Sequence, residues 1–352
     1  MDRLLMVDLA ARHEQASSRV EALVLEVLRG GGYVGGALVA EVEAVAARRF
    51  GRAGAVGVAS GTDALMLGLQ ALGLRPGDEV ILPALSFFAT AGAVAALGLV
   101  PVIADVREDG LLDPDAARRA WTPRTRAVIP VHLFGSAAPD PGLGVPVLDD
   151  AAQAVGAGVR CAYGALSATS VYPTKTWGAA GDGGFVLGDD PALLARVRAL
   201  GNHGYLDGQH RQVSGWVGRN ARLDPIQAAV LLGQEPELDQ RIARRQAIAR
   251  RYDRELPRSV RPLSRDPDSP VHQYAVLVED RALVQARLST LGVETRAYYA
   301  RPLHQEPAVA QGAEAPVAEH LAARLLALPV RASLSDAEVD RVLDALRQAV
   351  RG

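Results

Sequence analysis

The stretch SVYPTKTWGAAGDGG (residues 170–184) places a lysine, Lys175, in a short loop that follows a predicted strand. Several glycines follow the lysine, and glycine lets other groups approach the backbone closely. An ammonium group that is removed from water deprotonates more easily, so a lysine in such a loop suits Schiff-base chemistry. An isolated lysine beside a glycine turn is more often an ordinary surface residue. The residues that the fold brings next to Lys175 decide between these two interpretations.

Short apolar runs alternate with helical patterns over residues 36–200. We predict strands at 55–59, 78–82, 101–104, 126–131, 145–148 and 184–187, and helices that include 37–50 and 62–74. Strands that alternate with helices are typical of a mainly parallel sheet with helices on both faces. We therefore predict an α/β fold for this part of the chain.

Two carboxylates follow the predicted strand at 145–148. They are Asp149 and Asp150, and Gln153 comes three residues after the second one. In a parallel sheet, ligands bind at the edge where the strands end. A carboxylate there can keep a pyridinium nitrogen protonated, which makes pyridoxal phosphate (PLP) an electron sink. Capping of a helix by one of the two carboxylates is the alternative.

A phosphate site is predicted where the strand at 55–59 gives way to a helix. Ser60, Gly61 and Thr62 lie at this junction, where a helix start offers free N–H groups and the positive end of its dipole. Plain helix capping by these residues is the alternative. Phe87, after the strand at 78–82, either stacks on an aromatic ligand at the same edge or packs in the core.

The second half of the chain contains a long polar loop and then a smaller unit. The loop covers residues 201–220, a length that is unusual inside a compact domain and that indicates a function. A long arginine-rich helical stretch follows at 224–254, and a strand-helix-strand pattern begins at His272. We predict a large domain at 1–235 and a small domain at 236–352.

The overall composition excludes several classes of protein. The formal net charge is −2, and no basic block indicates a nucleic-acid partner. The single cysteine excludes an internal disulfide and a multi-thiolate zinc site, and we expect no metal. The most apolar stretch, residues 91–104, is interrupted by Gly92, Gly98 and Pro101 and is too short to span a membrane. We expect a cytoplasmic protein without a membrane anchor.

Together these motifs resemble the DegT/DnrJ/EryC1/StrS aminotransferases over nearly the whole chain. Motifs typical of that family occur here in the same order: Ser60-Gly61-Thr62, PALSFFAT (83–90), VHLFG (131–135), DAAQA (150–154), Ser170 with Lys175, GDGG (181–184), His203-Gly204 and NARLD (220–224). Two later segments, YYARPLH (298–304) and LPV (328–330), are similar to motifs of the family's smaller domain. One such motif is weak evidence, whereas the ordered set is specific.

The resemblance implies a PLP enzyme of fold type I, the aspartate aminotransferase-like fold, with a mainly parallel central sheet and a smaller C-terminal α+β domain. Lys175 would carry PLP as a Schiff base and would move the proton between the substrate and the cofactor. Asp150 would pair with the pyridinium nitrogen, Gln153 with the phenolic oxygen of the ring, and Phe87 would stack on the ring.

The resemblance also indicates which residues bind the cofactor phosphate and which residue comes from a second subunit. Gly61, Thr62 and Ser170 would hold the phosphate, and Asn220 would reach it from a partner subunit. The long loop would thus complete a neighbouring active site, so that a homodimer is the smallest working unit.

The resemblance further implies the reaction. L-glutamate would be the amino donor in a ping-pong transamination that passes through pyridoxamine phosphate, and a keto sugar linked to dTDP or UDP would be the acceptor. The candidates for substrate contacts are Tyr33, Arg222, Arg301 and His304. A cyclitol or another keto precursor as acceptor, and a non-catalytic regulatory protein with a PLP fold, are the alternatives. A PLP-dependent sugar dehydratase of the same family is disfavoured, since that branch carries a histidine in place of the lysine.

This chain departs from the family pattern at a few positions. Asp149, Thr176 and Trp177 replace the usual Glu, Asn and Leu, and none of them is expected to touch the reacting groups. The segment GSAAPDPGLGV (135–145) is shorter than usual and is expected to lack a helix.

Overall fold

A computed structural model describes residues 3–14, 16–206, 213–309 and 312–351 of the chain. Residues 207–212, in the middle of the predicted loop, lie outside the described residues.

Among the described residues, a three-stranded and a four-stranded sheet join into one main sheet with the spatial order β3-β2-β4-β5-β6-β7-β1. The bounds of its strands are β1 (Gly54–Val58), β2 (Glu79–Pro83), β3 (Val100–Ala104), β4 (Thr125–Val128), β5 (Leu148–Asp150), β6 (Leu166–Ser170) and β7 (Gly184–Gly188). Parallel bridges at Val128–Val147 and Val131–Asp150 join the β4 side of the sheet to β5. Only β7 runs antiparallel to its neighbours. The predicted α/β fold with a mainly parallel sheet is therefore confirmed.

Helices cover both faces of this sheet. The helices before and between its strands, and the two after them, are α1 (Leu9–Glu14), α2 (Ser17–Gly30), α3 (Ala37–Phe50), α4 (Gly61–Ala71), α5 (Ala89–Ala96), α6 (Pro114–Ala120), α7 (Pro191–Gly201) and α8 (Pro225–Gln234). Successive side chains of a strand point to opposite faces, and β7 shows this clearly. Val186 packs in one cluster with α4, α5 and α7, whereas Phe185 and Leu187 pack in another cluster with α3 and α8.

Most of the predicted bounds agree with the structure to within one or two residues, and β5 is the main exception. The prediction put this strand at 145–148, whereas β5 begins at Leu148. Pro146 has no N–H group and contributes only its carbonyl, which accepts from the N–H of Val128 at 3.1 Å. No helix lies between residues 136 and 147, as expected from the short segment there.

The predicted helical stretch at 224–254 is two helices rather than one. Helix α8 ends at Gln234, a 3₁₀ turn covers Glu235–Glu237, and α9 runs over Leu238–Glu255. Pro236 lies in the turn, and proline cannot donate the hydrogen bond that a continuous helix requires there.

A smaller α+β unit follows. Its remaining elements are β8 (Arg261–Pro262), β9 (Tyr274–Leu277), α10 (Arg281–Thr290), α11 (Pro316–Arg324), β10 (Leu325–Leu328) and α12 (Asp336–Arg351). The three strands form an antiparallel sheet in the order β10-β9-β8. Leu4, close to the start of the chain, is buried in the apolar cluster of this unit. The division at residue 236 stays a prediction. No helix among the described residues is long and apolar enough to cross a membrane.

Trp177 anchors the loop that contains Lys175 to the protein interior. Its side chain is 2% exposed, stacks on Phe185 with ring centroids 5.9 Å apart, and donates from Nε1 to the carbonyl of Leu231 at 3.0 Å. This position departs from the family pattern, and the structure places it in the core.

We expect Trp177→Ala to lower the free energy of unfolding by about 3–5 kcal/mol, because it leaves a cavity and an unpaired carbonyl. Urea unfolding of the apoprotein, followed by far-UV circular dichroism, measures this loss. Trp121, which is 45% exposed, provides the control: Trp121→Ala should cost about 0.5 kcal/mol or less. Equal losses in the two variants would contradict the anchoring role.

Candidate active site

Asp150 and Lys175 meet at the edge of the sheet where two neighbouring parallel strands end. Asp150 is the last residue of β5, and β6 beside it ends at Ser170, five residues before the lysine. The backbone N–H of Lys175 donates to the carbonyl of Tyr172 at 2.8 Å, which closes a tight turn. The predicted loop lysine and strand-end carboxylate are thus brought together.

The surroundings of Lys175 favour its neutral amine. Burial lowers the pKa of Lys175 to about 8, and the negative charge of Asp150 partly opposes this shift. About a tenth of the amine is therefore unprotonated at pH 7, far more than for a lysine with the usual pKa, and a nucleophile or a proton acceptor requires this neutral form.

Asp150 is a buried carboxyl group with few partners. Its Oδ2 accepts from Oγ1 of Thr90 at 2.9 Å, and its Oδ1 accepts from the N–H of Ala152 at 3.2 Å. Burial raises the pKa of Asp150, against the effect of these hydrogen bonds and of the charge on Lys175. A cationic ring N–H placed against this carboxylate would compensate its charge, so the residue fits the pyridinium nitrogen of PLP.

Asp149 points to the other face of the strand. It is fully buried and accepts from the N–H of Gly164 and the hydroxyl of Ser167, both at 2.7 Å. Its Oδ1 lies 3.4 Å from Nε2 of the buried His132. Neither Asp149 nor Asp150 caps a helix, because no α-helix begins directly after β5 and the chain next enters β6. Of the two carboxylates, only Asp150 therefore faces the site.

Two aromatic rings and an amide side chain lie near the carboxylate of Asp150. Phe87 is 59% exposed and is therefore not a core residue. Its ring centroid lies 6.2 Å from that of Tyr299. Gln153 accepts from the N–H of Phe134 at 2.7 Å and donates from Nε2 to Oη of Tyr299 at 3.1 Å. The exposed face of Phe87 is available to stack on a ring.

The predicted phosphate site combines two segments that are distant in sequence. A Cβ atom on Gly61 would lie 2.7 Å from Cβ of Ser170, so only glycine permits this approach. Ser60 caps α4 through the N–H of Asp63 at 3.0 Å, as the capping alternative expected. The N–H groups of Gly61 and Thr62 have no partner among the described residues and can still bind an oxyanion. The cradle therefore fits the phosphate group of PLP.

Asn220 and Arg222 lie at the end of β1, on the same side as this cradle. The N–H of Ala59 donates to the carbonyl of Ala221 at 3.2 Å, which fixes the segment there. The side chain of Asn220 is exposed and accepts from Nε of Arg222 at 3.1 Å. The role of Asn220 in the active site of a partner subunit stays a prediction.

The other three candidate substrate residues are not joined to this cluster. Tyr33 is exposed and donates to the carbonyl of Leu28 at 3.1 Å, and Arg301 is exposed with Nη1 3.7 Å from Glu306. His304 is buried, with Nε2 2.9 Å from Glu319. Within the described part of the chain, no hydrogen bond or ion pair connects any of them to Lys175 or Asp150.

Sequence reasoning missed three residues of the site. Thr90 and Tyr299 lie inside motifs that were recognised without a role for either residue. Arg12 lies near the start of the chain and donates to the carbonyl of Lys175 at 2.9 Å and to that of Pro173 at 2.6 Å. No local pattern around Arg12 indicates these contacts, which span more than 160 residues of sequence.

One further signal lies in the composition itself. Lys175 is the only lysine in the chain, and the other basic residues among the 38 Lys and Arg are all arginines. Arginine stays protonated near neutral pH, so among these 38 side chains only Lys175 can provide a neutral amine.

Comparison with known proteins identifies the same family as the sequence motifs do. The DegT/DnrJ/EryC1/StrS aminotransferase family matches residues 14–347. The chain is 36% identical to UDP-2-acetamido-2-deoxy-3-oxo-D-glucuronate aminotransferase of Pseudomonas aeruginosa, covering 97% of this chain and 98% of that protein. It is 38% identical to dTDP-3-amino-3,4,6-trideoxy-alpha-D-glucose transaminase of Streptomyces venezuelae, covering 98% and 96%.

A solved structure extends this similarity to the whole fold. The crystal structure of DesV of S. venezuelae, in complex with a ketimine intermediate, superposes with a TM-score of 0.93 at 36% identity and covers 100% of both chains. The buried carboxyl, the lone lysine and the phosphate cradle of this chain suit the cofactor of such enzymes. The chain belongs to the DegT/DnrJ/EryC1/StrS family and is a PLP-dependent aminotransferase.

Proposed function

We propose that this protein transfers an amino group from L-glutamate to the keto group of a deoxy or amino hexose linked to dTDP or UDP. The observation that carries the proposal is the meeting of Lys175 and Asp150 beside the cradle of Gly61 and Ser170. The two relatives named for UDP- and dTDP-linked sugars support the class of acceptor. The resemblance to the family supports glutamate as the donor.

In this reaction Lys175 moves the proton. Bound PLP supplies an electron sink and stores the amino group between the two halves of a ping-pong cycle. Nζ of Lys175, once free, accepts the proton from the α-carbon of glutamate. In the second half the same atom returns a proton to the carbon of the sugar that receives the amine. A pKa near 8 suits a group that both takes and gives a proton close to neutral pH.

The other residues bind and orient. Asp150 would hold the ring N–H through a carboxylate that accepts from Thr90. Gly61, Thr62 and Ser170 would bind the phosphate, and Phe87 would stack on the ring. Gln153, which bonds Tyr299 and the N–H of Phe134, would interact with the phenolic oxygen.

We also propose a cytoplasmic homodimer with shared active sites. The exposure of Asn220 at the end of the long loop, close to the phosphate cradle, supports a contribution to a second copy of the chain. A C₂ dimer would supply this residue to both sites by the same contact.

The first test uses the lone lysine. The protein purified with PLP should absorb visible light, and L-glutamate should bleach this band. In a separate sample without glutamate, borohydride reduction should fix the cofactor to one side chain, and peptide mass mapping should find it on Lys175. Lys175→Ala should lose the band and at least about 1,000-fold in turnover while keeping its circular dichroism spectrum. Retained turnover in this variant would refute the assigned role.

The pKa of Lys175 predicts how cofactor attachment depends on pH. Only the neutral amine attacks an aldehyde, so the rate at which apoprotein takes up PLP should rise about ten-fold per pH unit below pH 8 and level off above it. Stopped-flow absorbance measures this rate. Asp150→Asn removes a charge that raises the pKa of Lys175, and the plateau should therefore begin at lower pH. A plateau at higher pH in that variant would contradict the proposed electrostatics.

The acceptor is tested with a panel of ketones. We expect amination of a dTDP- or UDP-linked 3-keto or 4-keto hexose, seen by mass spectrometry as replacement of the carbonyl oxygen by an amine. A keto cyclitol without a nucleotide serves as the comparison. Efficient turnover of the cyclitol, with none of the nucleotide sugars, would overturn the proposed substrate class.

A further inference from the structure

A cavity lies on the side of the Lys175 loop that faces the start of the chain and the smaller unit. Residues 6–9 and Arg12 form one wall, and residues 174–176 of the lysine loop form another. Helix α9 and the segments at 272–273 and 330–333 close it. Gly61 and Ser170 do not line it, so the cavity is separate from the phosphate cradle.

The wall of this cavity carries an excess of positive charge. Arg12, Arg241, Arg245 and Arg331 line it together with Lys175, and the one carboxylate among the lining residues is Asp8. His272 also lines the cavity, but burial lowers its pKa and leaves the ring neutral. Oδ1 of Asp8 accepts from the N–H of Ala11 at 3.0 Å. Asp8 can balance only one of these positive charges, so most of them have no counter-charge among the residues that line the cavity.

Three of the guanidinium groups are held by other parts of the chain. Arg12 donates to the carbonyls of Pro173 and Lys175, and Arg245 donates to those of Val271 at 2.9 Å and His272 at 2.6 Å. These carbonyls are neutral and do not balance the charges. Arg331 lies 3.2 Å from Glu338, which does balance it.

Arg241 is the group with free donors. Its side chain is 5% exposed, and Nη1 donates to Oε1 of Gln234 at 2.9 Å. Nε and Nη2 are buried and have no hydrogen-bond partner among the described residues. Glu237, the carboxylate whose charge acts on Arg241, is also paired with Arg19. Buried donors without an acceptor cost free energy, and those of a charged group cost the most.

Mutual repulsion adds to this cost. Burial lowers the pKa of Arg12 to about 10, with a further contribution from the charge of Arg241. Burial likewise lowers the pKa of Arg245 to about 10, with a contribution from Arg12. Both groups remain charged at neutral pH, so three like charges share a confined space. A negative group among them would remove the repulsion and satisfy the free donors.

We propose that this cavity is a binding site for a small oxyanion, a carboxylate or a phosphate group, held on the Nε–Nη2 edge of Arg241. That edge presents two parallel N–H donors at the spacing of two oxygens, the geometry by which arginine binds carboxylate and phosphate. Two candidate ligands carry such an oxyanion. One is a carboxylate of the dicarboxylic amino donor, a reading that rests on the proposed function; the other is free inorganic phosphate.

The test titrates the PLP-loaded protein with glutarate and with inorganic phosphate by isothermal calorimetry. At least one of the two should bind, and Arg241→Gln should weaken that binding at least about ten-fold. Arg250 lies exposed on the same helix, so Arg250→Gln changes the net charge equally and should leave binding within about two-fold. No binding to the unmodified protein, or equal binding to Arg241→Gln, would overturn the proposal.

A second variant acts in the opposite direction, so that misfolding cannot imitate its effect. Asp8→Asn removes the lining carboxylate and keeps an oxygen that can accept from the N–H of Ala11. The anion should bind about three-fold or more tightly in this variant. Unchanged or weaker binding would count against the proposal even if Arg241→Gln does not fold.

Glutarate and phosphate also distinguish the two candidate ligands, the donor carboxylate and inorganic phosphate. Binding of glutarate, with a matching rise in the glutamate concentration needed to bleach the visible band of Arg241→Gln, identifies the donor carboxylate. Binding of phosphate alone identifies an inorganic anion. Glutarate has no amino group, so its binding does not depend on turnover. A protein that binds glutarate and is not bleached by glutamate would support the oxyanion site and overturn the proposed donor.

Discussion

The pairing of β5 with β6 is the constraint on which the site depends. Because these neighbouring strands are parallel, their carboxyl ends meet at one edge, and the chain needs only five more residues after β6 to place a lysine near Asp150. The pairing also decides which of two adjacent carboxylates lies near Lys175. Asp149 is directed into the interior, where it bonds Gly164 and Ser167, and Asp150 is directed at the cleft.

Features that depend on local structure could be predicted from the sequence. A strand end, a helix start and a glycine beside a serine are properties of a few neighbouring residues, and Asp150, Gly61 and Ser170 are found where those patterns put them. The bounds of β5 and the break between α8 and α9 depend on Pro146 and Pro236. Both features are therefore local as well, because a proline has no N–H group to donate within a strand or a helix.

Features that depend on long-range packing could not be predicted. Arg12 holds the lysine loop across 163 residues, and Tyr299 reaches Gln153 across 146. Which side chain fills such a position depends on how the smaller unit and the start of the chain fold back onto the sheet. The departures from the family pattern also lie in the interior, because Asp149, Thr176 and Trp177 are all buried.

The single lysine affects how the protein reacts with small molecules that modify amines. Aldehydes, reducing sugars and acylating agents attack amines, and arginine does not react as an amine because its guanidinium stays protonated. Lys175 is therefore the one side-chain amine that such compounds can modify. A cofactor bound there would shield it, so glycation and acylation of this amine should be confined to molecules that have lost PLP, and cofactor occupancy would protect the protein against this kind of chemical ageing.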